Sequence, residues 1–236
     1  MSMKIPKDVL VSKGITYVQK YPYNELSKVT KNKKRHYETP DGRAVPSVTT
    51  VLSATKDMTH LHAWRKRVGP EKAQQITTES ANIGTVMHKS LEKHVKGEDR
   101  TPGSNLIQQK GHQMANVIID NGLNDVSEVW GSEVSLYYPE LYAGTTDLVG
   151  VYKGEPAIMD FKQARRLKKK EWVEDYYLQL VAYAEAHNKQ YDTQIKNGRI
   201  FICTQANEYQ TFEIDNYDQW VGKWYAKLEE YYKKVL

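Results

Sequence analysis

The sequence predicts an α/β protein: a mixed central β-sheet flanked by helices, with an arm of helix preceding it. Three observations predict this. Residues 133–138, 147–152 and 157–162 form three short apolar-rich runs separated by turn residues, which reads as consecutive strands. Directly after them Trp172, Tyr176, Leu180 and Ala184 recur every four residues, with Val173, Tyr177 and Val181 beside them, the stripe of an amphipathic helix. Residues 47–122, in contrast, carry helix starts and stops rather than strand signals.

Residues 1–46 read as irregular with short strand-like pieces and a turn at Pro40-Asp41-Gly42. Ser47, after Pro46, is the expected N-cap of a helix through Val48, Val51 and Leu52. A mostly helical region follows, through Trp64 and then through His88 to about Lys96, where Gly97 can stop it. Residues 98–104 read as a loop, and 107–120 as a helix closed by Gly122. Beyond the Trp172 helix, 200–204 and 210–214 are two further strands, and an amphipathic helix fills 217–234. With no repeat or Gly/Ser linker, the expectation is one domain (1–236): an N-terminal segment (1–46), a helical region (47–122) and an α/β core (123–236).

Composition narrows the class. Of 236 residues, 39% are apolar and 27% charged, ordinary for a globular chain. No run reaches membrane-span length, and Met1 to Pro6 has neither signal-peptide nor transit-peptide character. A cytoplasmic protein without membrane attachment is expected, of bacterial or phage origin, or a mitochondrial-matrix one had a leader been removed. Cys203 is the single cysteine, which excludes an internal disulfide, a Cys-ligated zinc site and an iron–sulfur cluster. No Gly-x-x-x-x-Gly-Lys-Ser/Thr loop occurs, so no nucleotide cofactor is expected and ATP-driven unwinding would need a helicase partner. The net charge of +5 is concentrated in Lys31, Lys33, Lys34 and Arg35, and in a second run from Lys162 through Arg165, Arg166, Lys168 and Lys169 to Lys170. Such runs are solvated surface by default; the second starts within an acidic cluster, which points it at phosphate. Seventeen tyrosines offer stacking surface for bases.

The cluster follows from hairpin counting. If Lys153-Gly154 is a two-residue turn, residue 152 faces 155 and the count runs outward until Asp147 faces Asp160. Opposed strand residues have Cβ atoms about 5 Å apart, and like charges there repel. A divalent cation would offset that repulsion. Side chains alternate, so Lys162 emerges on the face of Asp160.

The ordered motifs Gly84-Thr85-x-x-His88, Gly144-x-x-Asp147, Asp160-x-Lys162 and Gln179-x-x-x-Tyr183 resemble the RecB-type branch of the PD-(D/E)xK nucleases. The likeness extends to the mitochondrial genome maintenance exonucleases and their phage relatives. Pro46-Ser47-Val48-Thr49, Trp64-Arg65-Lys66 and the Leu178–Tyr183 helix support it, so it covers most of the chain from Pro46 onward. The resemblance implies a restriction-endonuclease-like core with a helical arch. It also implies a DNA exonuclease acting on single-stranded ends, with roles in DNA repair, replication or recombination. Asp147, Asp160 and Lys162 would be catalytic; His88, Asp147, Asp160 and the Phe161 carbonyl would hold one or two Mg²⁺ or Mn²⁺ ions. Gln179 and Tyr183 would lie beside the metal site, or simply edge a core helix. Glu133 would add a carboxylate, or simply close a strand. Trp64, Arg65, Arg165, Arg166, Lys168 and Lys169 would meet DNA. A flap endonuclease or a silent DNA-binding module on the same fold are the rivals. One departure is that Gln163-Ala164 stand where relatives often carry Ser or Thr, so a hydroxyl that could meet phosphate is absent.

Overall fold

Lys153 and Gly154 both have positive φ (50° and 83°) and join two long strands through the two-residue turn that right-handed strand twist favours. The computed structural model describes residues 14–235 and, before them, the backbone of a strand β1 (Val9–Val11). The reading of Met1 to Pro6 lies outside the described residues. The elements that follow are β2 (Ile15–Tyr17), β3 (Lys28–Lys31), β4 (Lys34–Glu38), β5 (Ala44–Pro46), α1 (Val48–Thr55), α2 (Thr59–Val68), α3 (Pro70–Val95) and α4 (Leu106–Asn121). The second half comprises β6 (Val126–Tyr138), β7 (Tyr142–Tyr152), β8 (Glu155–Ala164), α5 (Glu174–Tyr191), β9 (Asn197–Thr204), β10 (Tyr209–Glu213) and α6 (Tyr217–Val235).

Seven strands form one mixed sheet in the order β1-β2-β6-β7-β8-β9-β10. The β2–β6 and β8–β9 pairs are parallel and the others antiparallel. A parallel β8–β9 pair needs a crossover, and α5 supplies it. Helices cover both faces, as expected. On one, Leu180 and Val181 of α5, Val51 of α1 and Trp224 of α6 pack with Val149 and Ile158. On the other, Met87 and Leu91 of α3 and Met114 and Ile118 of α4 pack with Leu148, Met159 and Phe161. Fully burying each of these large side chains contributes about 1.5–3 kcal/mol, so together they fix where the helices sit.

Three readings are revised. The short strand-like pieces read in residues 28–46 are organised into a three-stranded antiparallel sheet, β3-β4-β5, where a mostly irregular segment was expected. Its strands are three to five residues long, and β3 and β4 are largely exposed, so no clean apolar alternation marks them. The three central strands run well past the predicted 133–138, 147–152 and 157–162, because buried residues continue on both sides. Trp172 is not on α5: it sits in a one-turn 3₁₀ segment, Lys170–Trp172, before the helix starts, and is 48% exposed. Its four-residue spacing from Tyr176 imitated a stripe whose buried members start at Val173 and Tyr177. Ser47 caps α1 as expected, accepting the Thr50 amide N–H at 3.0 Å.

Candidate active site

Three acidic residues line up across three neighbouring strands. Ser132 pairs with Leu148 and Val134 with Thr146, which sets Glu133 opposite Asp147. Leu148 pairs with Met159, the last recorded step of the β7–β8 ladder, so Asp147 and Asp160 are next in register, as the hairpin count required. The ladder stops there. The Phe161 amide N–H instead donates to Asp147 Oδ2 at 2.6 Å, so a carboxylate oxygen takes the place of a strand acceptor.

The pleat also slips at this level. Tyr142 and Val149, seven residues apart on β7, pack into the same face of the sheet, where strict alternation would separate them. Glu133 lies between the two and opposite Asp147, with a φ of 54° in the middle of a strand, a left-handed conformation that non-glycine residues seldom adopt. Such strain is tolerated where the surroundings over-determine it, and it concentrates at working sites.

Around this row the charges are matched. His88, half-buried on α3, places Nδ1 3.2 Å from Asp147 Oδ1. Lys162 Nζ forms an ion pair with Asp160 and donates to Gln179 Oε1 at 3.0 Å. Gln179 Nε2 in turn donates to the Tyr183 hydroxyl at 3.0 Å. Asp160 is only 2% exposed and Asp147 8%, so neither ion is relieved by bulk water. Burial raises the Asp160 carboxyl; Lys162 opposes that and Asp147 adds to it. Burial also acts to raise Asp147, but His88, Lys162 and the Phe161 N–H outweigh it and hold it below the usual range. For His88, burial works against protonation, yet the Asp147 charge and hydrogen bond overcome it and push the ring up to about 9. The Glu133 carboxyl is raised, first by loss of water and then by Asp147. Solvent still reaches Glu133, which tempers that rise. Three carboxylates face two cations here, and Glu133 is the surplus negative group.

The donor set suits a divalent cation. One ligand atom each from His88, Glu133 and Asp147 lies within 4.8 Å of the others. Two carboxylates and an imidazole are donors a divalent cation accepts, and the surplus charge would be offset on binding. Asp160 stands beside this trio, engaged by Lys162.

The other expected residues are placed less uniformly. Gln179 and Tyr183 reach the site through Lys162, as described. A Cβ on Gly144 would come within 2.6 Å of the Tyr183 ring, so only glycine lets that ring lie against β7. Gly84, expected to keep the His88 face open, is not sterically required: a Cβ there would meet Gln163 at 3.9 Å, an ordinary contact. Trp64 and Arg65 lie on α2, a helix with no buried residue, and no hydrogen bond or ion pair joins them to the acidic row among the described residues. Arg165, Arg166 and Lys169 are exposed on the loop after β8, with Lys168 half-buried. The reading missed Tyr176, whose ring centroid is 5.2 Å from Lys162 Nζ. Its position three residues before Gln179, on the same helix face, was the available signal.

No protein-family model matches the chain. Two curated proteins do: mitochondrial genome maintenance exonuclease 1 of Mus musculus, 27% identical over 208 residues, and that of Homo sapiens, 26% identical over 208 residues. The matches cover 81% and 80% of this chain but 60% and 59% of those proteins, so the chain spans about three-fifths of the length of the curated relatives it matches. A crystal structure from Eubacterium rectale, assigned as an exonuclease, superposes with a TM-score of 0.50 at 14% identity, covering 66% of each chain. It shares the α/β fold. Together with the motif order, these relatives establish a PD-(D/E)xK-type nuclease resemblance.

Proposed function

We propose that this chain is a metal-dependent deoxyribonuclease that shortens single-stranded DNA from its ends. The observation that carries the reading is the row Glu133, Asp147 and Asp160, closed by His88 on one side and Lys162 on the other. The exonuclease relatives support it.

In this reading His88, Glu133 and Asp147 hold the ion, with Asp160 and the Phe161 carbonyl as further ligands; one or two Mg²⁺ or Mn²⁺ ions fit these donors. When bound, the cation supplies Lewis-acid polarisation of the phosphate and a more acidic water. The chain's own groups do the rest. The Phe161 N–H fixes one Asp147 oxygen, leaving the other turned to His88. Lys162, held by Asp160 and Gln179, brings a positive charge to where the phosphorane would develop negative charge. Tyr183 steadies Gln179 and through it the ammonium. The attacking water loses a proton and the departing ester oxygen gains one, so one P–O bond replaces another. The acidic side chains and Lys162 thus position and neutralise charge. Arg165, Arg166, Lys168 and Lys169 would track the phosphates, and Trp64 and Arg65 of α2 would form an arch that admits a strand end.

We treat the whole chain as one nuclease unit, working where DNA is present: a bacterial or phage-infected cytoplasm, or the mitochondrial matrix. No helix among the described residues is long and apolar enough to cross a membrane. A helicase or replication protein would supply unwound substrate.

The experiment is a digestion panel of linear and circular single strands, duplex DNA and RNA, with Mg²⁺, Mn²⁺ or chelator. Stepwise shortening of linear single strands with intact circles is expected. Circles cut as fast as linear strands would show an endonuclease instead, and no cleavage under any metal would leave a DNA-binding module.

A further inference from the structure

An exposed tryptophan in a rigid setting calls for an occupant. Trp172 is 48% exposed at the edge of the loop that follows β8. Arg166 and Lys169 each place their charge 5.5 Å from its ring centroid. The loop is pinned: the Lys168 amide donates to Gln210 Oε1 at 2.8 Å while Gln210 Nε2 donates to the Lys168 carbonyl, also at 2.8 Å. The Trp172 amide donates to the Lys169 carbonyl at 3.0 Å, and Lys170 is tied to Asp215 at 2.6 Å. Folding therefore presents this indole without burying it, at a cost in exposed apolar surface.

The position is continuous with the acidic row. Four residues on, Tyr176 is half-buried against Lys162, which pairs with Asp160. Lys56, the C-cap of α1, is ion-paired with Asp175 at the start of α5, which ties the two helices together beside this loop. An exposed indole with two cations over its ring, on a loop that joins the acidic row, can take an unpaired base as those cations turn to its phosphates.

We propose that Trp172 is a stacking subsite for an unpaired nucleobase of the strand being cut, a nucleotide or two from the scissile phosphate, with Arg166 and Lys169 bracketing the flanking phosphates. This rests on the nuclease reading above and extends it. Stacking of this kind reads no sequence, so the subsite would hold any base.

The test uses the full chain in chelator, so that nothing is cut, and a short fluorescein-labelled oligothymidylate followed by anisotropy. W172A weakens binding about 5- to 100-fold, and W172F and W172Y recover most of it. A single abasic nucleotide walked along the oligonucleotide costs the wild type affinity at one position, and W172A loses that position-specific penalty. Equal thermal midpoints confirm that each variant is folded, as expected for a half-exposed side chain. If W172A binds like wild type, if W172F is as weak as W172A, or if the abasic profile is unchanged, the subsite is refuted while the nuclease reading stands. If the wild type neither binds nor cuts DNA, both fall.

Discussion

The acidic row and helix α2 treat charge in opposite ways. In the row, the ionic groups other than Glu133 have fixed partners: His88 with Asp147, Lys162 with Asp160 and Gln179, and Asp147 with the Phe161 amide. On α2, Arg65, Lys66 and Arg67 project from a helix that buries nothing, and none is ion-paired among the described residues. The first arrangement orients charge at the expense of desolvation. The second leaves it mobile and screened by salt. Substitutions in the row should therefore act steeply and at one chemical step, and those on α2 shallowly and through salt-dependent affinity.

The sharpest way to break this contrast is Asp147→Asn. It keeps shape but removes the charge that holds His88 and that the proposed cation would need. Nuclease activity should fall about a thousandfold or more, roughly 4 kcal/mol of transition-state stabilisation, read as the initial rate on end-labelled single strands. A loss below tenfold would mean that the row is not where the chemistry occurs.

A second comparison sharpens the first, because the chain holds another enclosed histidine with no acid beside it. His187 is fully buried, its Nε2 2.9 Å from the Tyr23 hydroxyl and its Nδ1 2.8 Å from Thr193 Oγ1. Burial, followed by Lys20, lowers it to about 4, whereas Asp147 drives His88 to about 9. Since the folded value lies below the unfolded one of about 6.5, the unfolded chain binds the proton more readily in between. The contribution of neutral His187 is thus complete above about pH 6.5 and is lost as pH falls towards 4, roughly 3 kcal/mol in all. Asp160 and Glu133, both raised, act in the opposite sense over this window. The readout is therefore the urea-midpoint difference between wild type and His187→Gln, which should shrink as pH falls from 6.5 to 4; a constant difference would assign the slope to other groups.

Gly144→Ala comes next. The added carbon meets Tyr183 at 2.6 Å, and relief must pass through Gln179 to Lys162. An overpacking cost of about 1–3 kcal/mol is expected in the thermal midpoint, with a lower turnover rate. A midpoint equal to wild type would show that the ring has room to move. The smallest effect belongs to α2: Arg65→Ala with Lys66→Ala should weaken single-strand binding only several-fold in moderate salt. It should also flatten the log–log salt dependence by about 0.7 for each phosphate that is no longer neutralised. An unchanged slope would separate α2 from the DNA path.

The sequence carried the central hairpin with little ambiguity, because Lys153-Gly154 set a register that then brought Asp147, Asp160 and Lys162 together by counting. Helix ends were similarly legible at Ser47, Gly97 and Gly122, where capping chemistry is local. Glu133 was not settled. Its place opposite Asp147 depends on β6 bulges and on a positive φ that no residue preference announces at a glutamate. Trp172 was misplaced because four-residue spacing cannot say where a helix starts, and the sheet β3-β4-β5 was blurred because exposed short strands have no apolar rhythm. What failed to show was set by tertiary partners, while what showed was set by neighbours along the chain.

The row's three acids and its lysine all lie on the unbroken meander β6-β7-β8, between Glu133 and Lys162, while His88, Gln179 and Tyr183 arrive from helices elsewhere. The proposed reactive constellation is thus inheritable as one short ribbon. Recombination or grafting could carry that ribbon whole into a different surround, where the new helices would decide which polymer is admitted and from which side.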